Sequence, residues 1–173
     1  ELRTLLHALH RAKAHHAPAF LSITGEAGIG KTRLLTEFLS AARDHSDVLL
    51  VQCHPTESPP PYWTWICLVN RALSCPSCNP ETMALANELS RYFPEIASRE
   101  AADLSTTPRP STHHVVDLWI RTIRSLPRSR PTIVAIEDLH HLDLASLAVL
   151  SCLSEELVAS DQIIIIATTR PHI

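Results

Sequence analysis

Eight consecutive residues near the start of the chain have the types and spacing that bind phosphate groups. Residues 25–32 read GEAGIGKT and match the pattern G-x-x-x-x-G-K-[ST] in full. Glycines permit positive φ, so the backbone N–H groups can converge on phosphate oxygens. Lys31 supplies a compact positive charge for the β and γ phosphates, and the Thr32 hydroxyl is a hard oxygen ligand suited to Mg²⁺. The pattern therefore predicts a nucleoside-triphosphate site, with ATP/ADP and Mg²⁺ as the expected ligands.

The segments on either side of this loop support the same prediction. An apolar run at 20–24 precedes it and predicts a buried strand, and residues 31–42 follow with apolar side chains at helical spacing. That helix would point the positive end of its dipole at the phosphates. All three glycines of the chain lie in this loop, which argues against a chance match. The residues expected to contact the nucleotide here are Gly25, Glu26, Ala27, Gly28, Ile29, Gly30, Lys31, Thr32 and Arg33.

Two carboxylates, Glu137 and Asp138, end a second apolar segment at 133–136. Such a pair suits a magnesium site with a water to activate. One acid holds the ion, commonly through water, and the other orients or deprotonates the attacking water. We expect Glu137 and Thr32 on the metal side and Asp138 as the catalytic base, and the reverse assignment of the two acids stays open.

A third polar cluster follows the Ile-rich run at 162–167, which is typical of a central parallel strand covered on both faces. This strand delivers Thr168, Thr169 and Arg170 to its carboxyl end. In a P-loop sheet this edge lies beside the γ phosphate, where a threonine hydroxyl can contact the attacking water. An arginine there can contact the γ phosphate and report its presence. We therefore expect Thr168 to contact the nucleotide, and Arg170 to join Glu137 and Asp138 as a catalytic residue.

Strand–helix alternation at both ends of the chain is what positions these three clusters. The order is strand, phosphate loop, helix, strand, helical insert, strand, helix, strand, with core motifs at 20–52 and 131–171 and the insert at about 54–130. This order predicts an α/β fold of the P-loop NTPase kind, in which helices wrap a mostly parallel sheet in three layers. Ligands of such sheets bind at the carboxyl ends of the strands, where all three clusters fall.

Apolar spacing and capping residues predict the helices. A first amphipathic helix is expected at 1–16, and another follows the proline-rich loop at 54–61. Asn79, Ser111 and Asp143 stand where N-caps are expected, because their side chains accept from backbone N–H groups of a first helical turn. The expected core contacts of these three capped helices are, in order, Leu85, Leu89, Tyr92 and Phe93; Val116, Trp119, Ile123 and Leu126; and Leu144, Leu147, Ala148 and Leu157.

The composition narrows the class of protein. The 173 residues suffice for one α/β core, and 45% apolar with 19% charged residues is typical of a globular domain. A net charge of −3 gives no general reason to expect nucleic-acid binding, and the longest apolar stretch, at 163–167, is far shorter than the roughly 20 residues of a membrane span.

Five scattered cysteines predict reduced thiols and a cytoplasmic location. Because the chain starts at Glu1 and stops soon after a strand-like segment, we expect 1–173 to be a single P-loop ATPase domain fragment truncated at both ends.

Taken together, the three motifs resemble the ATPase module of STAND-type signalling proteins, a branch of the AAA-like P-loop ATPases in large bacterial regulators. The matching segments are GEAGIGKT at 25–32, IVAIEDLHHLD at 133–143 and IIIIATTRP at 163–171. PPYWTWICLVNRAL at 60–73 is similar to the family's proline–aromatic segment. One departure is His141, because the family usually has tryptophan at that position.

The resemblance implies a nucleotide-controlled switch, in which ATP favours an open, oligomerising state and ADP a closed one. Thr168 and Arg170 fall on the family's sensor positions. Regulators of this family often carry LuxR-type DNA-binding, nucleotide-cyclase or Ser/Thr-kinase domains. The implied partners are therefore ATP, other domains of the same polypeptide and further copies of it.

The function expected from the sequence is ATP binding and slow ATP hydrolysis in a regulatory module, with no direct nucleic-acid binding and no membrane contact. Three alternatives stay open: a DNA-linked AAA+ remodelling ATPase, a P-loop small-molecule kinase, and a non-hydrolysing nucleotide-binding scaffold. A DNA-linked remodelling ATPase would require a basic DNA-binding region. A kinase would need an acceptor pocket and a lid, for which the proline-rich insert offers no clear site.

Overall fold

The computed structural model describes residues 1–15, 17–55, 60–75, 78–96, 111–126, 130–158 and 161–171. The last residue of the predicted first helix, His16, lies outside these ranges. No helix within them has the length and apolar character needed to cross a lipid bilayer. The elements are α1 (Leu2–Ala14), β1 (Ala19–Thr24), α2 (Lys31–Ala42), β2 (Asp47–Gln52), α3 (Trp63–Leu73), α4 (Pro80–Leu89), α5 (Thr112–Arg124), β3 (Thr132–Glu137), a 3₁₀ turn (Leu139–His141), α6 (Leu144–Glu156) and β4 (Ile163–Thr169).

The four strands form one parallel sheet in the order β1-β4-β3-β2. β-branched residues dominate β3 and β4, which favours an extended backbone, and both strands are buried almost throughout. Because the strands are parallel, their carboxyl ends meet at one edge, where Thr24 pairs with Thr169 and Gln52 with Glu137. The α/β fold with a mostly parallel sheet that the sequence predicts is confirmed.

Alternate side chains of the central strands face two separate cores. Ile133 and Ala135 of β3 lie in one core with Leu35 of α2, and α1 packs on the same side. Val134 and Ile136 lie in the other core, which the helices from α3 to α6 cover. The alternation follows from the two-residue period of a strand that is buried on both faces. The sheet is therefore the middle of three layers, as predicted.

The helices of the insert pack as one body on the second core. Trp65 and Trp119 are fully buried there. The Trp65 Nε1–H donates to the Ser146 carbonyl at 3.0 Å, which ties α3 to α6. The Tyr62 ring stacks 5.9 Å from Trp119, and Phe93 lies 5.3 Å from both of these rings. These contacts join the helices of the insert to one another and to α6.

The three predicted N-caps are confirmed. Asn79, Ser111 and Asp143 each accept a hydrogen bond from a backbone N–H two or three positions further on, at 2.8–3.3 Å. The same Asp143 oxygen that caps α6 also accepts from the Tyr62 N–H at 3.0 Å. This carboxylate therefore fixes how α6 begins relative to α3.

The predicted core face of α6 is wrong in three of its four residues. Leu144 is 85% exposed, Leu147 is 44% exposed, and Ala148 is exposed as well, whereas Leu157 is partly buried against the core. Apolar residues occur on all sides of this helix, so their spacing does not select a face, and the Asp143 contacts set its orientation instead. The buried residues are Ser146, Val149 and Leu153.

Helices α4 and α5 end earlier than their apolar patterns predict. Helix α4 ends at Leu89 and α5 at Arg124, so Tyr92, Phe93 and Leu126 lie beyond them. The N–H groups of Tyr92 and Phe93 both donate to the Leu89 carbonyl at 2.9 Å, which closes the end of α4 with a turn. The three side chains still pack, partly buried, against the core that was predicted for them.

Leu153 and Leu144 test the orientation of α6, because both are leucines of this helix but one is buried and the other is exposed. We expect Leu153→Ala to lower the free energy of unfolding by about 2–5 kcal/mol, since this fully buried side chain would leave a cavity. Leu144→Ala, at an exposed position, should change it by less than about 0.5 kcal/mol. Urea denaturation followed by circular dichroism gives both values, and a larger loss for Leu144→Ala would contradict the orientation of α6.

Candidate nucleotide-binding site

The predicted phosphate loop (residues 25–32) runs from the end of β1 to the start of α2. Gly28 and Gly30 have φ of 79° and 101°, a region that residues with a Cβ seldom adopt. The Gly25 N–H donates to the Thr169 carbonyl at 3.3 Å, which joins the loop to the end of β4. The loop therefore lies at the carboxyl edge of the sheet, and the positive end of the α2 dipole lies beside it.

Lys31, the first residue of α2, folds its side chain back over the loop. Its Nζ donates to the carbonyls of Gly25 at 2.8 Å and Glu26 at 2.9 Å. An ammonium group has three N–H donors, so these two bonds leave one for an anion. The lysine charge is thus held at the loop, where phosphate oxygens could also meet the backbone N–H groups.

Thr32 and Glu137 are in direct contact. The Thr32 hydroxyl donates to Oε1 of Glu137 although the two residues are 105 positions apart. Glu137, the last residue of β3, is 8% exposed, so its carboxylate is brought to the loop by a buried strand. A hydroxyl and a carboxylate oxygen side by side are ligands that Mg²⁺ accepts, because this ion is usually held by one or two carboxylates together with phosphates and waters. These two residues therefore fit a magnesium ion next to bound phosphates.

The chain turns sharply at Asp138, which has φ of 57° and ψ of 49°. Few residues other than glycine adopt this left-handed conformation, and aspartate is among those that tolerate it best. The Asp138 N–H donates to the Thr168 hydroxyl oxygen at 2.9 Å, and Thr168 is 1% exposed. The Thr168 side chain therefore supports the turn that carries Asp138. The contact between Thr168 and the nucleotide stays a prediction.

The remaining predicted residues lie at exposed positions near the loop. Arg33 lies on the outer side of α2, where its Nε donates to Oε1 of Glu37 at 2.9 Å. That bond engages Arg33 along the helix surface rather than at the loop. Arg170 directly follows β4 and is exposed. Three further residues are exposed in the loop itself: Glu26, Ala27 and Ile29.

His140, in the 3₁₀ turn after the acids, lies close enough to Lys31, Asp138 and Arg170 to be affected by their charges, and the sequence does not predict this. Both its ring nitrogens are buried and have no hydrogen-bond partner in the described part of the chain. Burial lowers the pKa of His140, and the charges of His141, Arg170 and Lys31 lower it further while Asp138 opposes them. The uncharged imidazole is therefore favoured, with one donor and one acceptor to offer. Adjacent histidines on a turn are usually surface residues, so spacing alone does not reveal this one.

A cavity of about 310 Å³ opens beside the phosphate loop. Its wall includes Gly30 and Lys31 of the loop, Ile23 of β1, and Thr4 and Leu5 of α1. This volume is at the lower end of the range for small-molecule sites, roughly 300–1,000 Å³. The apolar and hydroxyl-bearing wall could accommodate an uncharged part of a ligand whose anionic part lies at the loop.

The parallel sheet, the phosphate loop and the acid that faces it define the class of P-loop nucleotide-binding domains. Residues 1–166 match the family model described as AAA ATPase domain, so the chain belongs to this family of nucleotide-binding ATPase domains. The resemblance to AAA-like P-loop ATPases is thereby confirmed at the level of the family.

Two structures of Drosophila ORC are among the solved structures similar to this chain. A chain of ORC bound to DNA has a TM-score of 0.47 and 13% identity, and the match covers 98% of this chain and 76% of that one. A chain of ORC bound to AT-rich DNA and Cdc6 has a TM-score of 0.48 and 14% identity. That match covers 98% of this chain and 46% of the other, so this chain spans less than half of it. No curated protein matches the sequence.

The hydrogen bond between Thr168 and Asp138 can be tested with a shape-conserving substitution. We expect Thr168→Val to lower the free energy of unfolding by about 1–3 kcal/mol, because the Asp138 N–H would lose its acceptor. The control is Thr169→Val. Among the described residues the Thr169 hydroxyl bonds to the neighbouring Arg170 carbonyl alone, at 3.3 Å, so this change should cost less than about 0.5 kcal/mol. Urea unfolding measures both, and equal losses would argue against a supporting role for Thr168.

Proposed function

We propose that this domain binds ATP with Mg²⁺ and hydrolyses it slowly, as a nucleotide-controlled switch of the STAND type. The observation that carries the proposal is the direct contact between the Thr32 hydroxyl and the Glu137 carboxylate. A phosphate loop and an acid that meet in this way supply two hard oxygen ligands beside the position of a triphosphate. Membership of the AAA ATPase domain family supports the same chemistry.

Triphosphate binding would depend on the loop and the residues at its base. The backbone N–H groups of residues 25–32 surround the phosphates, and the Lys31 ammonium contacts the β and γ oxygens. Thr32 and Glu137 hold the metal ion, which when bound neutralises charge on the β and γ phosphate oxygens. The cavity of about 310 Å³ beside Gly30 is the proposed location of the nucleoside. Its opening onto the loop supports this assignment.

Hydrolysis would use Asp138, the second acid of the pair. In this step a water oxygen forms a bond to the γ phosphorus while the bond to the bridging oxygen breaks, leaving ADP and inorganic phosphate. Asp138 orients this water and accepts its proton. Support comes from the left-handed turn, which the buried Thr168 hydroxyl holds in place. The exchanged roles, with Glu137 as the base, are distinguished by the variants described below.

The switch part of the proposal depends on β4. This strand bonds to the loop through the Thr169 carbonyl and to the acidic turn through the Thr168 hydroxyl, and it ends beside Arg170. Loss of the γ phosphate would remove the anion that Arg170 faces and would change both contacts together. Other domains of the same polypeptide and further copies of it are the proposed recipients of that change.

Lys31→Ala tests nucleotide binding. We expect ATP affinity in the presence of Mg²⁺ to fall roughly 10- to 100-fold, because a charged hydrogen bond to phosphate is lost. The matched control is Lys13→Ala, since Lys13 is the other lysine of the chain and bonds to the His45 carbonyl at 3.2 Å on another part of the molecule. Isothermal titration calorimetry measures both affinities, and an unchanged affinity in Lys31→Ala would defeat the assignment.

Asp138→Asn tests hydrolysis, because it removes the charge and keeps the shape of the side chain. We expect phosphate release to fall by about 10²–10⁴-fold while ATP affinity is retained. Glu137→Gln should instead weaken the part of ATP affinity that depends on Mg²⁺. If the two acids have the exchanged roles, these two results will be exchanged as well.

Three other outcomes of the same assay would favour a different function. Full turnover in both acid variants would contradict an acid-assisted hydrolysis at this site. ATP binding without turnover in the unmodified protein would indicate a nucleotide-binding scaffold. ATP consumption that requires an added acceptor would indicate a kinase.

A further inference from the structure

A larger cavity lies at the opposite edge of the sheet from the phosphate loop. It has a volume of about 520 Å³ and opens where β2 and β3 begin, next to the end of α3 and the start of α4. Strand β3 starts at Thr132 in the cavity wall and ends at Glu137, about 16 Å away at the rise of an extended strand. The volume lies within the range of small-molecule sites, roughly 300–1,000 Å³. This cavity is separate from the nucleotide site.

Two buried hydroxyl groups in its wall have no hydrogen-bond partner among the described residues. Ser46 is 2% exposed and Thr132 is 1% exposed, and both side-chain oxygens are unpaired in that part of the chain. The Thr132 backbone N–H, in contrast, is bonded to the Gln162 carbonyl at 3.0 Å. Buried polar groups are nearly always paired, so these two hydroxyls, on residues that line one cavity, have hydrogen-bonding capacity to offer a ligand.

Three arginines line the same cavity and give it a positive charge. Arg71 donates to the Leu50 carbonyl at 3.0 Å, and Arg130 donates to the Asp47 carboxylate at 3.3 Å. A guanidinium has five N–H donors, so these bonds leave others for an anion. Arg43 is exposed at the rim. Asp47 is the one acidic residue among the lining residues described, so three positive groups face one negative group.

The positive groups at this edge also act on a neighbouring lysine. Burial, and then the charge of Arg130, lower the pKa of Lys13, whose Nζ bonds to the His45 carbonyl near the turn before β2. The Lys13 and Arg130 charges are therefore close enough to repel each other. The rest of the wall combines apolar residues, among them Leu49 and Leu126, with polar residues such as Ser74 and Thr82.

We propose that this cavity binds a small organic anion. The carboxylate or phosphate head group of this anion bonds to the Ser46 and Thr132 hydroxyls and to the three lining arginines. A short apolar body of the same ligand packs against Leu49 and Leu126. Arginine suits both head groups, because its planar donors match two oxygens at once. This site is independent of the proposed ATPase function, since it includes neither a residue of the phosphate loop nor Glu137 or Asp138.

The first experiment compares three probes that share a phenyl ring: benzoate, phenyl phosphate and the uncharged benzyl alcohol. Lys31→Ala protein is used, so that phenyl phosphate binds more weakly at the phosphate loop. We expect at least one of the two anions to shift the amide resonances of Ser46 and Thr132 in NMR titrations and to bind about tenfold or more tightly than benzyl alcohol. The stronger anion identifies the head group. No shift at Ser46 and Thr132 with either anion at millimolar concentration would overturn the proposal.

The second experiment tests the hydroxyls and the charge separately. The double variant Ser46→Ala with Thr132→Val should melt at a higher temperature than its parent, because two unpaired buried groups are gone, and should bind the anion about tenfold or more weakly. Arg43→Gln, at an exposed position that folding does not require, should weaken binding several-fold and reduce its dependence on salt. Unchanged affinity in Arg43→Gln and in the double variant would sink the proposal. If the double variant does not fold, Arg43→Gln alone decides the result.

Discussion

The hydrogen bond between Thr32 and Glu137 is the interaction on which the candidate nucleotide site depends. It joins residues 105 positions apart, and it forms because parallel strands bring their carboxyl ends to one edge. The pairing of β3 with β4 is therefore as important to the site as the phosphate loop itself. A slip of this pairing by one residue would turn Glu137 to the opposite face of the sheet and separate the acid from the loop.

The central strand β4 holds the two halves of the site at a fixed separation. Its last residues bond to Gly25 on one side, through the Thr169 carbonyl, and to Asp138 on the other, through the Thr168 hydroxyl. The second bond stabilises a left-handed turn that an isolated chain would seldom adopt. Positioning of Asp138 thus depends on a buried side chain from a neighbouring strand.

Much of this architecture could be predicted from the sequence because it follows from local patterns. Uninterrupted β-branched runs identify β3 and β4, short polar residues before apolar helices identify the caps, and the glycine spacing identifies the phosphate loop. The orientation of α6 could not be predicted, because leucine and alanine occur on all its sides and a distant contact to Tyr62 sets it. The Thr168 bond and the burial of the two His140 ring nitrogens also depend on tertiary packing, for which the sequence carries no spacing signal.

The two hydrogen bonds to Asp143 have a mechanical consequence. One carboxylate oxygen accepts from Ser146 at 2.8 Å and from Tyr62 at 3.0 Å, so α6 and α3 start from a single anchor although they are 81 positions apart in the chain. The anchor lies in the segment that directly follows the acidic turn at Asp138. A displacement of the Asp143 carboxylate would therefore move the starts of both helices together.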